Sequence, residues 1–524
     1  MNLSLFRFQF LLLSLAIVLS CKSTKKNTVS PQATAVAVAA PIAEVAKTYT
    51  YESFSNDPLN ARVYTLSNGL KIYMTVYKDA PRIQAYIATK AGSKNDPADA
   101  TGLAHYLEHM LFKGTDKFGT LDYAKEKPEL EKIEVLYEVY RNTTDEKLRK
   151  EIYHQIDSIS NVAAKFAIAN EYDKMIAGIG SKGNNAYTSF EQTVYLNDLP
   201  SNQLENWLSL EAERFRQPVL RIFHTELEAV YEEKNRSLDS DDNKIFENLF
   251  ANLYTKHTYG TQTTIGTIDH LKNPSLVKIK AYYNNYYVPN NMAIVLSGDF
   301  NPDDAIKLID TKFGSLPSKP VPPYLPAVEP DFAAPKVIDV YGPDAESLTI
   351  GYRFGGISTA DADMVNFISK ILSNGTAGLL DLNLNQQQKV IGAFSFPYVL
   401  NDYSTLVFGA STKEGQTLNQ TQNLLLEQIE KIKKGDFPDW ILQAIITDLK
   451  VEQTQAFTTN RGRANALLDA FTANKSYQNS IDQISRFEKI TKQDIINFSQ
   501  TKFGNNYVVI NKKNGTSQQV QKVE

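Results

Sequence analysis

Two histidines and a glutamate lie close together in the string His-Tyr-Leu-Glu-His at residues 105–109. On a helix, side chains three and four positions apart share one face, so His105, Glu108 and His109 would point the same way. Neutral imidazoles are good zinc ligands, and a carboxylate beside them can take a proton from a water that the metal activates. Gly102 before the string and the Gly-Thr pair at 114–115 after it favour a helix. Taken alone, the string also fits an ordinary helix with two surface histidines.

The surroundings of the string favour the metal site. The string inverts the H-E-x-x-H motif of zinc proteases. Residues 102–115 resemble the active-site helix of the pitrilysin, insulinase and mitochondrial-processing-peptidase family, and residues 65–70 and 91–97 resemble the strand and loop that precede it. The resemblance covers nearly the whole chain after about residue 50. It implies a zinc peptidase of the α+β class, with two tandem homologous α/β-sandwich domains.

The third zinc ligand of that family is a glutamate on a later helix. The resemblance places this ligand at Glu233 and a supporting glutamate at Glu226. Seven residues make almost two helical turns, so these two side chains point the same way, whereas the competing candidate Glu232 points about 100° away. Thr225 and Glu228 have the spacing of a capping box and predict that the helix starts at Thr225.

Residues 183–189 resemble the family's edge strand, which pairs with the substrate backbone beside the zinc. The resemblance implies that Asn185 and Ala186 bind substrate, since an unpaired strand edge can hold an extended peptide. The alternative is an ordinary strand end. Active family members also use an arginine and a tyrosine of the second domain. The matching segment, residues 379–394, has no arginine, and Phe394 is roughly where the tyrosine is expected.

The first 20 residues have the layout of a secretory signal peptide, with one basic residue and then an apolar run that is short for a membrane span. The following Cys21 is the single cysteine of the chain and ends a segment that resembles a bacterial lipoprotein cleavage box. We therefore expect lipid attachment at Cys21, and an ordinary signal peptide is the alternative. Residues 21–48 read as a flexible tether.

The remaining chain divides into two predicted domains. We expect a zinc-binding domain at 49–316, a proline-rich linker at 317–334, a second peptidase-like domain at 335–515 and a tail at 516–524. Asn-Asn pairs at 290–291 and 505–506, each followed by a strand-like run, are a weak sign of an internal repeat. The separation of 124 positions from His109 to Glu233 exceeds the family spacing, and the excess at about 126–177 has helical periodicity. This segment is predicted to be an inserted helical hairpin.

The charge of the chain excludes one class of partner. It has 55 basic and 59 acidic residues, a net charge of −4, and no basic block of the kind that nucleic acids require. The sequence thus predicts a zinc endopeptidase of the bacterial envelope, lipid-anchored and facing the periplasm, with one zinc ion per chain and Glu108 as the general base. The alternative is a weakly active or structural subunit. Because the arginine and tyrosine are missing, we expect a second related chain that supplies them, or a homodimer.

Overall fold

The computed structural model describes residues 47–473 and 475–515. The predicted signal peptide, nearly all of the tether, the candidate lipid site Cys21 and the tail at 516–524 lie outside this range. Within it, no helix combines the length and the apolar character that a membrane crossing needs. The residues from Tyr49 onward form one compact unit.

The first sheet of this unit has seven strands and carries the edge that the sequence assigned to substrate. Hydrogen bonds join the strands in the order β1-β2-β3-β7-β4-β6-β5. Only β3 and β7 run parallel; the other neighbouring strands are antiparallel. The strands are β1 (Tyr51–Glu52), β2 (Arg62–Thr65), β3 (Lys71–Val76), β4 (Arg82–Thr89), β5 (Lys182–Thr188), β6 (Thr193–Pro200) and β7 (Met292–Gly298).

The second sheet repeats the topology of the first. Its strands are β8 (Lys336–Gly342), β9 (Ser347–Gly355), β10 (Gly392–Val399), β11 (Tyr403–Ser411) and β12 (Tyr507–Asn514), in the order β8-β12-β9-β11-β10. The last strand, β12, pairs parallel with β8 and antiparallel with β9, just as β7 pairs with β3 and β4. This common order confirms the predicted α+β class with two homologous halves.

Helices cover both sheets. In the first half they are α1 (Leu103–Met110), α2 (Tyr123–Asn142), α3 (Glu146–Ala163), α4 (Glu171–Gly178), α5 (Leu204–Arg214), α6 (Phe223–Asp239), α7 (Asp241–Leu253), α8 (Thr258–Thr261), α9 (Ile268–Leu271), α10 (Leu276–Tyr286) and α11 (Pro302–Phe313). In the second half they are α12 (Ala360–Leu372), α13 (Leu418–Lys434), α14 (Trp440–Ala456), α15 (Asn460–Thr472), α16 (Tyr477–Ile481), α17 (Gln483–Phe487) and α18 (Lys492–Lys502). Residues 314–335 between the halves form neither helix nor strand.

One helix of each half packs on the sheet of the other half. Helix α15 of the second half buries Leu467, Leu468 and Phe471 against the first sheet, in a cluster with Tyr73 and Tyr86. Helix α7 of the first half packs in the same way on the second sheet, in a cluster that combines Leu249, Phe250, Leu253, Val340, Val407, Val508 and Ile510. One face of each sheet is therefore buried only when both halves are present.

The segment predicted as an inserted hairpin consists of the long helices α2 and α3 and the short helix α4. Three residues, 143–145, connect α2 to α3. The Tyr140 and Tyr153 rings contact each other across the pair, and the Arg149 guanidinium donates to the carbonyl oxygens of Tyr140 and Thr143. The buried Ile133 and Tyr137 join this pair to the core beneath the zinc-motif helix.

Candidate metal centre

Helix α1 presents His105, Glu108 and His109, and its first turn is held by a carboxylate. The N-cap, Gly102, has a φ of 87° and no side chain to cap the helix. Asp96 replaces that cap, because its carboxylate accepts hydrogen bonds from the Gly102 and Ala104 amides at 2.7 and 3.0 Å. A Cβ at residue 102 would lie 2.6 Å from the Ile265 carbonyl oxygen, so only glycine fits there. Asp96 is not among the site residues predicted from the sequence.

Three side chains from two helices converge in front of α1. The Nε2 atoms of His105 and His109 lie 3.6 and 3.7 Å from Glu233 Oε2. One ligand atom from each residue falls within 4.8 Å of the other two. Two imidazole nitrogens and one carboxylate oxygen are also a common donor set for catalytic zinc, with a fourth position left open. The residues present therefore fit a zinc ion.

The protonation of His105 suits a metal ligand. Burial, and then the neighbouring His109, lower the pKa of His105 to about 4. Its Nδ1 atom is buried without a hydrogen-bond partner in the described part of the chain. His105 is therefore neutral at physiological pH, which is the form that binds a metal.

His109 is oriented by a glutamate one helix away. Its Nδ1 donates to Glu226 Oε2 at 3.2 Å, and this bond directs Nε2 towards Glu233. Burial favours a lower pKa for His109, but Glu226 and the other carboxylates nearby raise it. Lys113 also pairs with Glu226. Burial favours a higher pKa for this half-buried carboxyl, but His109 and Lys113 together hold its pKa below the usual range. The structure thus brings the predicted supporting residue to the site.

Glu108 is enclosed beside these ligands. Its carboxylate accepts a 2.5 Å hydrogen bond from the Thr188 hydroxyl at the end of β5. Burial raises the pKa of Glu108, while Thr188 and His109 oppose that rise. A buried carboxylate with a raised pKa is well matched to accepting a proton near neutral pH. Thr188 belongs to the strand that was predicted from the sequence to bind substrate, but no role was predicted for Thr188 itself.

The helix that carries Glu226 and Glu233 begins earlier than predicted. The capping box at Thr225 and Glu228 is wrong as a start signal, because α6 begins at Phe223 and its N-cap is Ile222. Ile222 has a φ of 55°, which is unusual for a β-branched residue. The competing ligand candidate Glu232 is exposed.

The start of α6 is fixed by Arg221, which sequence analysis did not single out. Its guanidinium is almost completely buried, pairs with the Glu126 carboxylate of α2 at 2.9 Å and donates to the Lys113, Thr115 and Phe118 carbonyl oxygens. These carbonyls belong to the turn that follows α1. One arginine therefore ties together the end of the histidine helix, the inserted pair and the start of the glutamate helix.

The predicted substrate residues lie on β5, which pairs with β6 alone among the described strands and forms one edge of the first sheet. Asn185 is exposed, and Ala186 is half-buried against the core beneath α1. Ala186 and Thr188 face α1, since alternate residues of a strand share a face. Asn185 and Tyr187 face the other side of the sheet.

The second half has a counterpart of this site without metal ligands. On α12, Asn366, Ser369 and Lys370 repeat the spacing of the histidine string, and Ser369 contacts Ser395 of the edge strand β10 at 3.1 Å, as Glu108 contacts Thr188. Lys370 pairs with Glu452 of α14 at 2.7 Å, in the manner of His109 and the glutamates of α6. Of the possible metal-binding groups in the described residues, the one in the first half stands alone.

Phe394, which occupies the expected place of the family's tyrosine, lies on β10. It is 41% exposed and its ring stacks on Phe396 at 5.9 Å. A phenylalanine offers no hydroxyl to donate.

Comparison with known proteins places this arrangement in one family. Residues 74–134 and 159–266 match the model for insulinase (peptidase family M16), and residues 275–449 match the peptidase M16 inactive domain. The unmatched residues 135–158 lie in the α2–α3 pair. The chain is 26% identical to the zinc protease PqqE of Helicobacter pylori over 434 residues, which are 81% of this chain and 85% of that protein. It is 25% identical to mouse insulin-degrading enzyme over 274 residues, 51% of this chain and 22% of the enzyme.

Solved structures share the fold. A protease from Helicobacter pylori has a TM-score of 0.72 at 24% identity, covering 86% of this chain and 99% of its own. The periplasmic protease PqqL from Escherichia coli has a TM-score of 0.66 at 16% identity, covering 89% of this chain but 48% of its own. The chain therefore spans about half of the larger protease. With both domain models matched in chain order on a repeated two-sheet fold, the chain belongs to the pitrilysin/insulinase family of peptidases, M16, in its two-domain form.

Proposed function

We propose that this protein is a zinc-dependent endopeptidase that cleaves peptides or unfolded polypeptides in the bacterial envelope. The observation that carries the proposal is the convergence of His105, His109 and Glu233 beside the buried carboxylate of Glu108. The relatives named as zinc proteases support the same activity.

His105, His109 and Glu233 would hold one zinc ion per chain. Bound there, zinc would act as a Lewis acid that polarises a peptide carbonyl and lowers the pKa of a water molecule. Glu226 keeps the His109 ring in the orientation that turns Nε2 towards this site. His105 needs no deprotonation at neutral pH, because burial already keeps its imidazole neutral.

Glu108 would act as the general base. Its carboxylate takes a proton from the attacking water and then gives that proton to the leaving amine. The Thr188 hydroxyl holds one carboxylate oxygen, Oε2, and thereby fixes the position of the other. Thr188 is therefore a positioning residue of the proposed reaction.

The free edge of β5 would bind the peptide. Asn185 and Ala186 would offer their backbone groups to an extended chain, an interaction that depends little on side chains. Since Thr188 of the same strand touches Glu108, a peptide paired along β5 would run past the proposed base.

The central test separates metal ligands from the base. We expect His105→Ala, His109→Ala and Glu233→Ala to lose zinc, because each removes one of three protein ligands. Glu108→Gln should keep zinc, measured by plasma mass spectrometry, and lose hydrolysis of a peptide library. A Glu108→Gln protein without metal, together with a Glu233→Ala protein that retains it, would reverse the assigned roles. A structural subunit, the alternative function, need not carry stoichiometric zinc.

We also propose that the mature protein is anchored through a lipid on Cys21 and faces the periplasm. The sequence around Cys21 supports this location, and the structurally similar PqqL of Escherichia coli is a periplasmic protease. The native protein should partition into detergent, and Cys21→Ser should be released or remain unprocessed. An unmodified Cys21 at the mature terminus, seen by mass spectrometry, would rule out the anchor.

A second chain would complete the reaction chamber. This protein spans about half of the PqqL chain, and its segment 379–394, which resembles the family's second-domain motif, has neither an arginine nor a tyrosine. Loss of one such oxyanion donor typically costs about 10²–10³ in rate. We propose a related partner that supplies both residues, with a homodimer as the second form. Full peptide turnover by the chain alone, shown to be monomeric by light scattering, would contradict both forms.

A further inference from the structure

The tip of the hairpin formed by β5 and β6 carries a buried glutamate, Glu191, whose side chain is 11% exposed. One carboxylate oxygen accepts hydrogen bonds from the Lys94 ammonium, at 2.9 Å, and from the Tyr259 hydroxyl. The side-chain amide of Asn401 donates to the other oxygen at 2.9 Å, and its backbone N–H lies 3.1 and 3.2 Å from the two oxygens. Because both oxygens have donors, the carboxylate is held from two sides.

These donors come from separate parts of the fold. Lys94 lies in the loop before the zinc-motif helix α1, and Tyr259 lies in α8 of the first half. Asn401 belongs to the second half, in the turn between β10 and β11, and it also donates to the carbonyl oxygen of Thr472 at the end of α15. Glu191 is therefore a point at which the β5–β6 hairpin, the loop before α1 and the second half meet.

The tip of this hairpin adjoins the proposed base. The backbone N–H groups of Ser93 and Lys94 donate to the carbonyl oxygens of residues 189 and 190, each at 3.0 Å. Thr188, the residue just before this turn, donates to the Glu108 carboxylate. Because β5 pairs with β6 alone among the described strands, the contacts of the turn also fix the end of β5. A shift of the turn would therefore move Thr188 relative to Glu108.

We propose that Glu191 is a positioning residue, which fixes the hairpin tip to the second half and thereby keeps Thr188 in contact with Glu108. This inference rests on the proposed peptidase function and gives the second half a part in the reaction. A misplacement of about 1 Å, even one caused by a distant change, can cost about 100-fold in rate. Lys94 keeps a partner when Glu191 is changed, since Asp402 also lies 3.4 Å from its ammonium.

The test measures kcat of the zinc-loaded full chain on peptides selected from a library by the unmodified protein. Glutamine in Glu191→Gln keeps the shape, but its single acceptor oxygen cannot serve both Lys94 and Asn401. Asn401→Ala removes the side-chain donor of the second half and leaves the sequence of the hairpin unchanged. We expect each variant to lower kcat by about 10-fold or more, with zinc content at the level of the unmodified protein.

A double variant distinguishes positioning from a general loss of stability. If Glu191 acts through Thr188, Glu191→Gln should lower kcat no further in a protein that already carries Thr188→Val. Independent effects would multiply. A product of the two single losses would therefore overturn the proposed route through Thr188.

The matched control is Glu329→Gln. Glu329 is a buried carboxylate of the same junction, and it accepts hydrogen bonds from the Lys256 and His257 backbone N–H groups, which lie outside the hairpin. This variant should leave kcat nearly unchanged, and thermal unfolding should show that every variant is folded. An equal loss of kcat in Glu329→Gln would overturn the positioning role.

The remaining outcomes separate this inference from the proposed function. If the unmodified protein cleaves peptides and neither Glu191→Gln nor Asn401→Ala lowers kcat, the positioning role is overturned and the peptidase proposal stands. If the unmodified zinc-loaded protein cleaves no peptide of the library, the peptidase proposal fails and this inference fails with it.

Discussion

Glu108 depends on a residue 80 positions further along the chain. The buried carboxylate of Glu108 accepts a 2.5 Å hydrogen bond from the hydroxyl of Thr188. If Glu108 is the base, the bond restricts its carboxylate to one rotamer and leaves the second oxygen free for the proton. Positioning by such a bond is typically worth about 10–100-fold in activity at metal sites.

We predict that Thr188→Val lowers kcat of peptide hydrolysis by about 10-fold or more. Valine keeps the shape of threonine and removes the donor, so zinc content should stay at the level of the unmodified protein. The measurement is steady-state kinetics together with metal analysis. Thr188→Ser retains a hydroxyl and should keep most of the activity. A Thr188→Val protein with unchanged kcat would show that Glu108 needs no help from this strand.

The sequence could identify only the part of the site that is local in the chain. His105, Glu108 and His109 share a face because of helical geometry, and Glu226 and Glu233 do so for the same reason. The pairing of the two helices came from the family resemblance. Asp96 and Thr188 were missed because an aspartate in a loop and a threonine at the end of a strand are ordinary, and their partners are set by packing.

At the scale of elements, one buried arginine holds the two site helices in register. Arg221 and Glu126 are about 1% and 0% exposed, and the guanidinium also satisfies three carbonyls of the turn after α1. The glycines of this turn, Gly114 and Gly119, leave room for it, since a Cβ at either would lie 2.7 Å from Arg221 Nη1.

We predict that Arg221→Met lowers the free energy of unfolding by about 3–5 kcal/mol, because it leaves Glu126 charged and buried without a partner. The shift of the urea midpoint measures this loss. Glu126→Gln should cost less, since the arginine keeps its carbonyl acceptors. Equal costs for the two variants would mean that the carbonyl contacts contribute nothing.

The same turn has an acid-sensitive contact with α5. Thr115 and Lys117 donate to the Glu213 carboxylate, and Arg216 pairs with it. Burial favours a higher pKa for Glu213, but these donors lower it from 4.5 to about 2. A carboxyl whose pKa is lower in the folded state than in the unfolded state stabilises the folded state at every pH above its unfolded pKa. This contribution is lost as the pH falls from the unfolded pKa through the folded pKa.

We therefore predict that Glu213→Gln destabilises the protein at pH 7 by about 1 kcal/mol, a value reduced for the partial exposure of the pair. The difference from the unmodified protein should shrink as the pH falls from 4.5 to about 2. Urea unfolding across this range measures it. A difference that is constant with pH would show that Glu213 acts through packing and not through its charge.

The start of α6 shows the limit of local patterns for elements. Thr225 and Glu228 have capping-box spacing, yet the helix begins at Phe223 because Ile222 takes the N-cap position. The contacts of Arg221 fix the backbone just before that point. Such long-range contacts override a local start signal, and a pattern of four residues cannot contain them.

For the whole molecule, the two exchanged helices decide whether a half can exist alone. Leu467, Leu468 and Phe471 of α15 are each worth roughly 1.5–3 kcal/mol when buried, and they are buried on the first sheet. Arg463 of the same helix donates to the Leu59 carbonyl oxygen and the Thr75 hydroxyl beneath that sheet. The family resemblance and a weak internal repeat predicted two homologous halves, but nothing in the sequence predicted that each half covers the sheet of the other.

We predict that residues 49–316 expressed alone aggregate or bind hydrophobic dyes, because one face of their sheet is uncovered. Co-expression with residues 317–524 should give a soluble complex that elutes as one species. Size-exclusion chromatography with light scattering measures both. A monomeric first half with a cooperative thermal transition would show that the exchange of helices is dispensable.

The exchange of helices also means that the first sheet is synthesised well before the helix that covers it. The last strand of the first sheet ends at residue 298, whereas α15 begins at residue 460. At about 5–20 residues per second, a ribosome needs on the order of ten seconds or more to make the residues between them. During that interval the nascent chain carries a nearly complete sheet with one apolar face open to other proteins. A chain stopped before α15 would keep that face open permanently, so early termination would yield a product for chaperones and quality-control proteases.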